Sequence, residues 1–415
     1  MVRSHMRQKI IRAFGWGAFF LSLFAEPLPA AAEDRVFSTS INIDPPVGPG
    51  ASEPSLFALN DGRILMGWTE PAGDGYAVKV AAGNVDGWSE PRTIVESDAL
   101  FVNWADFPSV AAFGNGTLVA HWLKETGSGY DYDVNIALSQ DEGKSWGKTL
   151  TPHRDGRSAQ HGFATLLPMA GNRVLAVWLD GRADGADDAS PEKATDVMQL
   201  RGAIISADGT LSKALLLDAQ TCSCCQTSAA VAGDGTVLVA YRDRTKDEIR
   251  DISLVRMING VWSDPTIVHE DGWEISGCPV NGPAIDAQDT NAVVSWFTEA
   301  GGVPAVKVAF SKNTGRSFGE AVRIDQGNAV GRVDAVLLDD GSAIVSWVEW
   351  NSNGEVLFVC RAQPQTGCGA PQSITINRVG GSINFPRMVR TRDGVYIAWN
   401  QPGRDALIRM VFAKW

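Results

Sequence analysis

One phrase recurs seven times along this chain. A short apolar strand meets a Gly/Asn/Asp turn, and a second apolar strand follows and ends in a large aromatic. The aromatic ends are Trp68, Trp122, Trp178, Tyr241, Trp296, Trp347 and Trp399, spaced 51 to 63 residues apart. The longest interval carries a polar insertion from Gly181 to Thr195. A period of this length means one supersecondary unit repeated, and each copy can bury its apolar face only against its neighbours.

The turns identify the unit. Asp61-Gly62, Asn115-Gly116, Asp234-Gly235, Asp340-Gly341 and Asp393-Gly394 sit between the paired strands. Such dipeptides supply the positive φ angles of a tight hairpin. A third strand follows in each copy, as at Ala77–Ala81, Val134–Leu138, Ile252–Arg256 and Ala305–Phe310, and then a shorter fourth. The predicted fold is therefore an all-β propeller of seven four-stranded blades, with six blades as the alternative. The last copy ends after its third strand, Leu407–Phe412. The segment Val36–Ile43 precedes the first copy and is expected to supply the missing fourth strand, closing the ring and removing the open edges.

Ahead of the repeats, Arg7, Lys9 and Arg12 form a basic region before the apolar run Ala13 to Ala25, and Ala30-Ala31-Ala32 precedes Glu33. This reads as a signal peptide over residues 1–32, with a single propeller domain over 33–415. An uncleaved N-terminal anchor is the other reading. The expected location is periplasmic or secreted, with no membrane span after cleavage. A formal net charge of −12 argues against nucleic acid as a partner.

The turn after the third strand of the second copy reads Ser139-Gln140-Asp141-Glu142-Gly143-Lys144-Ser145-Trp146, and Ser311 to Phe318 is a looser version. This S-x-D-x-G-x-x-W pattern resembles the Asp-box of the BNR/sialidase-like superfamily. In such a turn Ser and Asp side chains bond turn N–H groups, Gly allows positive φ, and the aromatic packs on its blade. The resemblance implies a sialidase-like propeller. Exo-sialidases are six-bladed, hold the sialate carboxylate with three Arg, the first in a Phe/Tyr-Arg-Ile-Pro phrase, and use a Tyr nucleophile. That Arg and Tyr pattern is not matched here; Phe385-Pro386-Arg387-Met388 is a scrambled version.

In a propeller the loops into each first strand and out of each second strand share one face. The inbound loops carry Trp104, Asp106, His161, Arg332 and Arg387; the outbound loops carry Arg182, Arg242, Asp243 and Glu299. Trp104, His161, Arg182, Arg242, Arg332 and Arg387 are not imposed by the repeat, and an aromatic platform with Arg forks suits a glycan or another polar small molecule. Asp106, Asp243 and Glu299 are the candidate catalytic carboxylates. A glycosidase needs two of them about 5–10 Å apart. The acids of the recurring phrase Trp68-Thr-Glu70, Trp178-Leu-Asp180, Tyr241-Arg-Asp243 and Trp347-Val-Glu349 also admit a purely structural reading, as acceptors that lock the repeat.

The six cysteines divide unevenly. Cys360 and Cys368 flank a short connection and are expected to form a disulfide in an oxidising compartment. Cys222, Cys224, Cys225 and Cys278 lie in two successive inbound loops. They can form disulfides, a thiolate site for copper or zinc with His161, or a redox-active pair. Three functions remain open: a glycan-binding and glycan-cleaving propeller, a Cys/His metal or redox protein, and a non-catalytic scaffold.

Overall fold

The structure, a computed structural model, describes residues 36–127, 131–182, 197–403 and 407–415. The expected signal segment and most of the polar insertion lie outside the described residues. Seven antiparallel sheets follow one another along the chain. The first strands are Ser52–Ala58, Ser109–Ala112, His161–Met169, Ser228–Val231, Ala284–Gln288, Ala329–Leu337 and Arg387–Arg390. Each touches the next, and the seventh touches the first, so they line the centre of a closed ring of seven blades. Among the described residues there is no α-helix, only a 3-10 turn at Ala300–Gly302, and no helix long and apolar enough to cross a membrane.

The ring closes as the sequence implies. Thr39–Ile43 pairs antiparallel with Leu407–Lys414 and becomes the fourth strand of blade 7. Blade 2 departs from the expected four strands. Its sheet has three, and the fourth is reduced to the bridge Ile136↔Leu150. Pro152 has no N–H with which to extend that ladder.

The recurring aromatics are the rivets of the blades. All seven are buried, five of them completely. A buried indole N–H needs an acceptor, and the acid two residues on lies on the same side of its strand. Trp68 donates to Glu70 (2.8 Å), Trp178 to Asp180 (2.7 Å) and Trp347 to Glu349 (2.9 Å). The aromatic-to-acid phrase is thus structural in three blades. In blade 5 Trp296 donates to Asp271 instead (2.6 Å), and in blade 4 the Tyr241 hydroxyl donates to Asp218 (2.5 Å).

Polar side chains on or just before the first strands bolt several blades to the next around the channel. Asp106 accepts from Phe163 N–H (2.8 Å), Ser228 from Ile285 (3.1 Å), Asp286 from Leu337 (2.7 Å) and Asp334 from Met388 (2.6 Å). The Ser139–Trp146 turn has the expected local bonds: Gly143 N–H donates to Ser139 Oγ (2.8 Å) and Ser145 N–H to Asp141 (2.8 Å). Ser311 and Asn313 repeat the pattern in blade 5.

Candidate functional site

The inbound loops converge at the hub. Three first strands begin with a bulge whose register slips between Ser52 and Ser55, Gly162 and Thr165, and Gly331 and Asp334. At each bulge one non-glycine residue is left-handed: Glu53 (φ 57°), Phe163 (φ 52°) and Arg332 (φ 55°). Such backbone is uncommon outside glycine and concentrates where a side chain is re-aimed. Below these bulges the first strands enclose a central cavity of about 380 Å³, with lining from all seven blades that includes Asp106, Asp286, Asp334 and Arg387.

Asp106 is buried there, accepting from the Tyr132 hydroxyl (2.8 Å) and from Phe163 N–H. Burial outweighs both bonds and pushes its carboxyl up to about 7. Glu53 is also buried, with Oε2 lacking a hydrogen-bond partner. Burial, with a smaller push from the Asp106 charge, raises it to about 8. Asp286 is raised by burial to about 6, and Asp334 also upward. Arg387 stacks over Phe107 (4.4 Å) and feels the Asp334 charge. Its guanidinium makes no hydrogen bond among those seen between described residues, leaving an open fork beside acids whose carboxyl groups burial raises.

Trp104 is 41% exposed, stacks on Phe385 (5.9 Å) and carries the Arg332 guanidinium over its ring (5.2 Å). Arg332 also donates to Ser382 Oγ (2.5 Å) and to the Ile383 carbonyl, so much of its fork is used in holding the blade-7 inbound loop. Phe385 packs in one apolar cluster with Ala105, Phe163 and the three cysteines of the triplet. Segments far apart in the chain thereby share one hub.

Other expected site residues lie elsewhere. Arg242 is 1% exposed and donates to the carbonyls of Asn281 (2.8 Å), Arg250 (2.6 Å) and Phe297 (2.6 Å). Its fork is consumed in tying blade 4 to blade 5, so it is no ligand group. Asp243 is half-buried, accepts from Ser253 Oγ (2.9 Å), and is raised to about 6 by burial and by Asp218; it does not line the cavity. Glu299 is exposed at the head of the 3-10 turn. The three candidate carboxylates do not converge; only Asp106 lines the cavity, and the acid electrically coupled to it is Glu53, at the bulge just before the lining residues of blade 1. Glu53 stands immediately before Pro54, where the first repeat begins, and nothing in the repeat pattern distinguished it.

Of the arrangements open to the four inbound-loop cysteines, the structure has one disulfide and one free pair. Cys224 and Cys278 are joined in a disulfide, as are Cys360 and Cys368. Cys222 and Cys225 are buried free thiols with their sulfurs 2.9 Å apart. Burial opposes ionisation of Cys222, but the Cys225 S–H, the Cys224 N–H and the charges of Arg242 and Arg250 outweigh it and hold the thiol down to about 6. Burial and the Cys222 charge push Cys225 well up. His161 belongs to a separate cluster with Asp133, His153, Asp155 and Asp180. Arg182 joins it, holding Asp180 with two bonds of 2.7 Å.

No family model matches the chain, and no curated protein matches it by sequence. Solved structures do. The α-L-arabinofuranosidase of Fusarium graminearum in complex with an iminosugar inhibitor aligns with a TM-score of 0.52 at 11% identity, over 92% of this chain and 98% of that one. The α-L-arabinanase of Penicillium chrysogenum complexed with arabinobiose gives 0.51 at 12% identity, over 91% and 98%. A Hadza microbial sialidase gives 0.45 at 14%, over 83% and 74%. At these identities the likeness concerns the fold alone, a β-propeller.

Proposed function

We propose that this protein is an exported glycan-acting propeller of the BNR/Asp-box type that binds its ligand at the hub and cleaves a glycosidic bond there. The observation that carries this reading is the pairing of Glu53 and Asp106. They are two buried, electrically coupled carboxyl groups, Glu53 at the bulge of the first strand of blade 1 and Asp106 on the inbound loop of blade 2; raised to about 8 and about 7, they leave Glu53 mostly protonated and Asp106 partly ionised near neutral pH. A glycosidase needs a carboxylic acid that still has its proton to give to the leaving oxygen, with a second carboxyl group acting opposite it. The cavity volume falls within the range of small-ligand sites, and the open Arg387 fork offers parallel N–H donors to hydroxyl or carboxylate oxygens. Trp104 supplies an exposed ring face of the kind sugars stack on. The glycosidase propellers similar to this chain agree with the reading without deciding it.

The test is a panel of oligosaccharides, arabino-oligosaccharides among them, assayed for binding and for release of reducing ends. Glu53→Gln and Asp106→Asn are expected to keep binding and lose turnover. Arg387→Ala is expected to weaken binding. A wild-type chain that binds and cleaves no member of the panel rules the reading out.

A second reading rests on Cys222 and Cys225. A thiolate held 2.9 Å from a thiol is poised for two-electron chemistry. Oxidation would join the two sulfurs, passing the one proton of the Cys225 thiol and two electrons to a disulfide-bearing oxidant, which leaves as a thiol and a thiolate. Equilibration in glutathione redox buffers tests it. A pair that stays reduced at every ratio while the fold persists excludes the role.

A further inference from the structure

The cluster between blades 2 and 3 has a feature that the hub chemistry does not use. The His153 and His161 rings lie face to face, 3.7 Å apart and 2° from parallel. His153 is 5% exposed and His161 fully buried. One edge of each ring meets Asp155: His153 Nδ1 lies 3.4 Å from Oδ1 and His161 Nε2 lies 3.2 Å from Oδ2, both with hydrogen-bond geometry. Asp155 accepts only, so those two nitrogens carry the hydrogens. The opposite nitrogens, His153 Nε2 and His161 Nδ1, are buried and have no hydrogen-bond partner. Both come close to a single atom, Asp133 Oδ1, at 3.4 and 3.3 Å, but off the line a hydrogen bond requires.

With both imidazoles neutral, three electron-pair donors stand side by side with no hydrogen between them, and a tilt of the two now parallel rings would aim both nitrogens at one point. Asp133 has no Lys or Arg ion-pair partner among the described residues, whereas Arg182 is committed to Asp155 and Asp180. The spacing has a simple meaning. Ligand atoms set tetrahedrally about 2.0–2.1 Å from a zinc-type cation stand about 3.3–3.4 Å apart, which matches both distances to Asp133 Oδ1. Two imidazoles and a carboxylate are donors for a transition metal and do not suit calcium, which takes oxygen ligands. Asp155 meanwhile fits the supporting carboxylate that receives the outer N–H of a metal-bound histidine.

We propose that Asp133 Oδ1, His153 Nε2 and His161 Nδ1 form a binding site for one zinc-type divalent cation, with a fourth coordination position open. The Asp133 side chain is 25% exposed and gives the site a route to solvent. The site adjoins the hub through its chain neighbours. Tyr132 donates to Asp106, and a Cβ on Gly162 would collide with Asp106 Oδ2. This inference does not depend on the glycan reading.

The experiment is titration of chelator-stripped full chain with Zn²⁺ against a chromophoric competitor, in a Cys222→Ser/Cys225→Ser background so that thiols do not contribute. One Zn²⁺ per chain is expected. Asp133→Asn and His153→Gln should each weaken binding about 100-fold or more, and Asp155→Asn about 10–100-fold. If the double serine background does not fold, Co²⁺ is added to the unmodified chain. Weak visible bands that vanish in His153→Gln support the site. No bound Zn²⁺, binding unchanged in Asp133→Asn and His153→Gln, or a Co²⁺ spectrum of thiolate charge-transfer bands alone overturns it.

Discussion

Replacing Asp106 by Asn should change how the stability of the protein responds to pH. The folded carboxyl titrates near 7 because it is buried, against 3.8 in an open chain. Below about pH 4 both states hold the proton, and the contribution of the group to stability is fully present. As pH rises the unfolded chain gives up its proton first, so stability falls until the folded group ionises near 7. The integrated loss is about 4 kcal/mol. Asparagine has no proton to lose. Its oxygen can still accept from Phe163 N–H. The Tyr132 hydroxyl, which already receives Gln160 Nε2–H at 2.8 Å, loses its acceptor at a cost of about 1 kcal/mol. The variant should therefore be the less stable protein at about pH 3.5 and the more stable one at about pH 8, with the curves crossing near pH 4.5. Glu53, Asp286 and Asp243 slope the same way in both proteins and largely cancel in the difference. Urea unfolding followed by tryptophan fluorescence at half-unit pH steps measures it. Parallel curves for the two proteins would refute the claim that burial holds this carboxyl protonated.

Further expectations follow from the same geometry. Gly162→Ala should abolish turnover and lower the melting temperature, because its Cβ would collide with Asp106 and Tyr132; a variant with normal activity and stability contradicts the packing. Trp104→Ala should weaken glycan binding by about tenfold while leaving the fold intact, as judged by calorimetry and circular dichroism, since the ring is half-open to solvent. Thiol titration of unreduced protein in guanidinium should find two reactive groups per chain, Cys222 and Cys225, with little reaction before unfolding; four thiols, or none, contradicts the pairing.

Much of the ring was legible because it rests on local chemistry. Asp-Gly and Asn-Gly turns mark the hairpins, and every recurring aromatic is buried. The ends of the propeller join because Thr39–Ile43 completes blade 7. The Cys360–Cys368 bond follows from two cysteines on one hairpin. The site was less legible, since its members are chosen by where neighbouring blades put their backbone. Arg242 lies next to Tyr241 on an outbound strand, as a ligand group could. It is a staple because the carbonyls of Asn281 and Phe297, from the next blade, arrive within reach of its fork. Glu53 carries no motif, and its left-handed bulge is not announced by glycine. His153 and Asp133 flank a blade junction and become partners of His161 only once blades 2 and 3 are packed.

The most direct test of the hub is a crystal structure of the protein soaked with the oligosaccharide it binds best. The expectation is a sugar ring in the central cavity, within hydrogen-bond distance of Arg387 and Asp106 and facing the bulge that carries Glu53. A sugar seated instead on the opposite face of the ring, or on the outer edges of the blades with the cavity filled only by water, would contradict it.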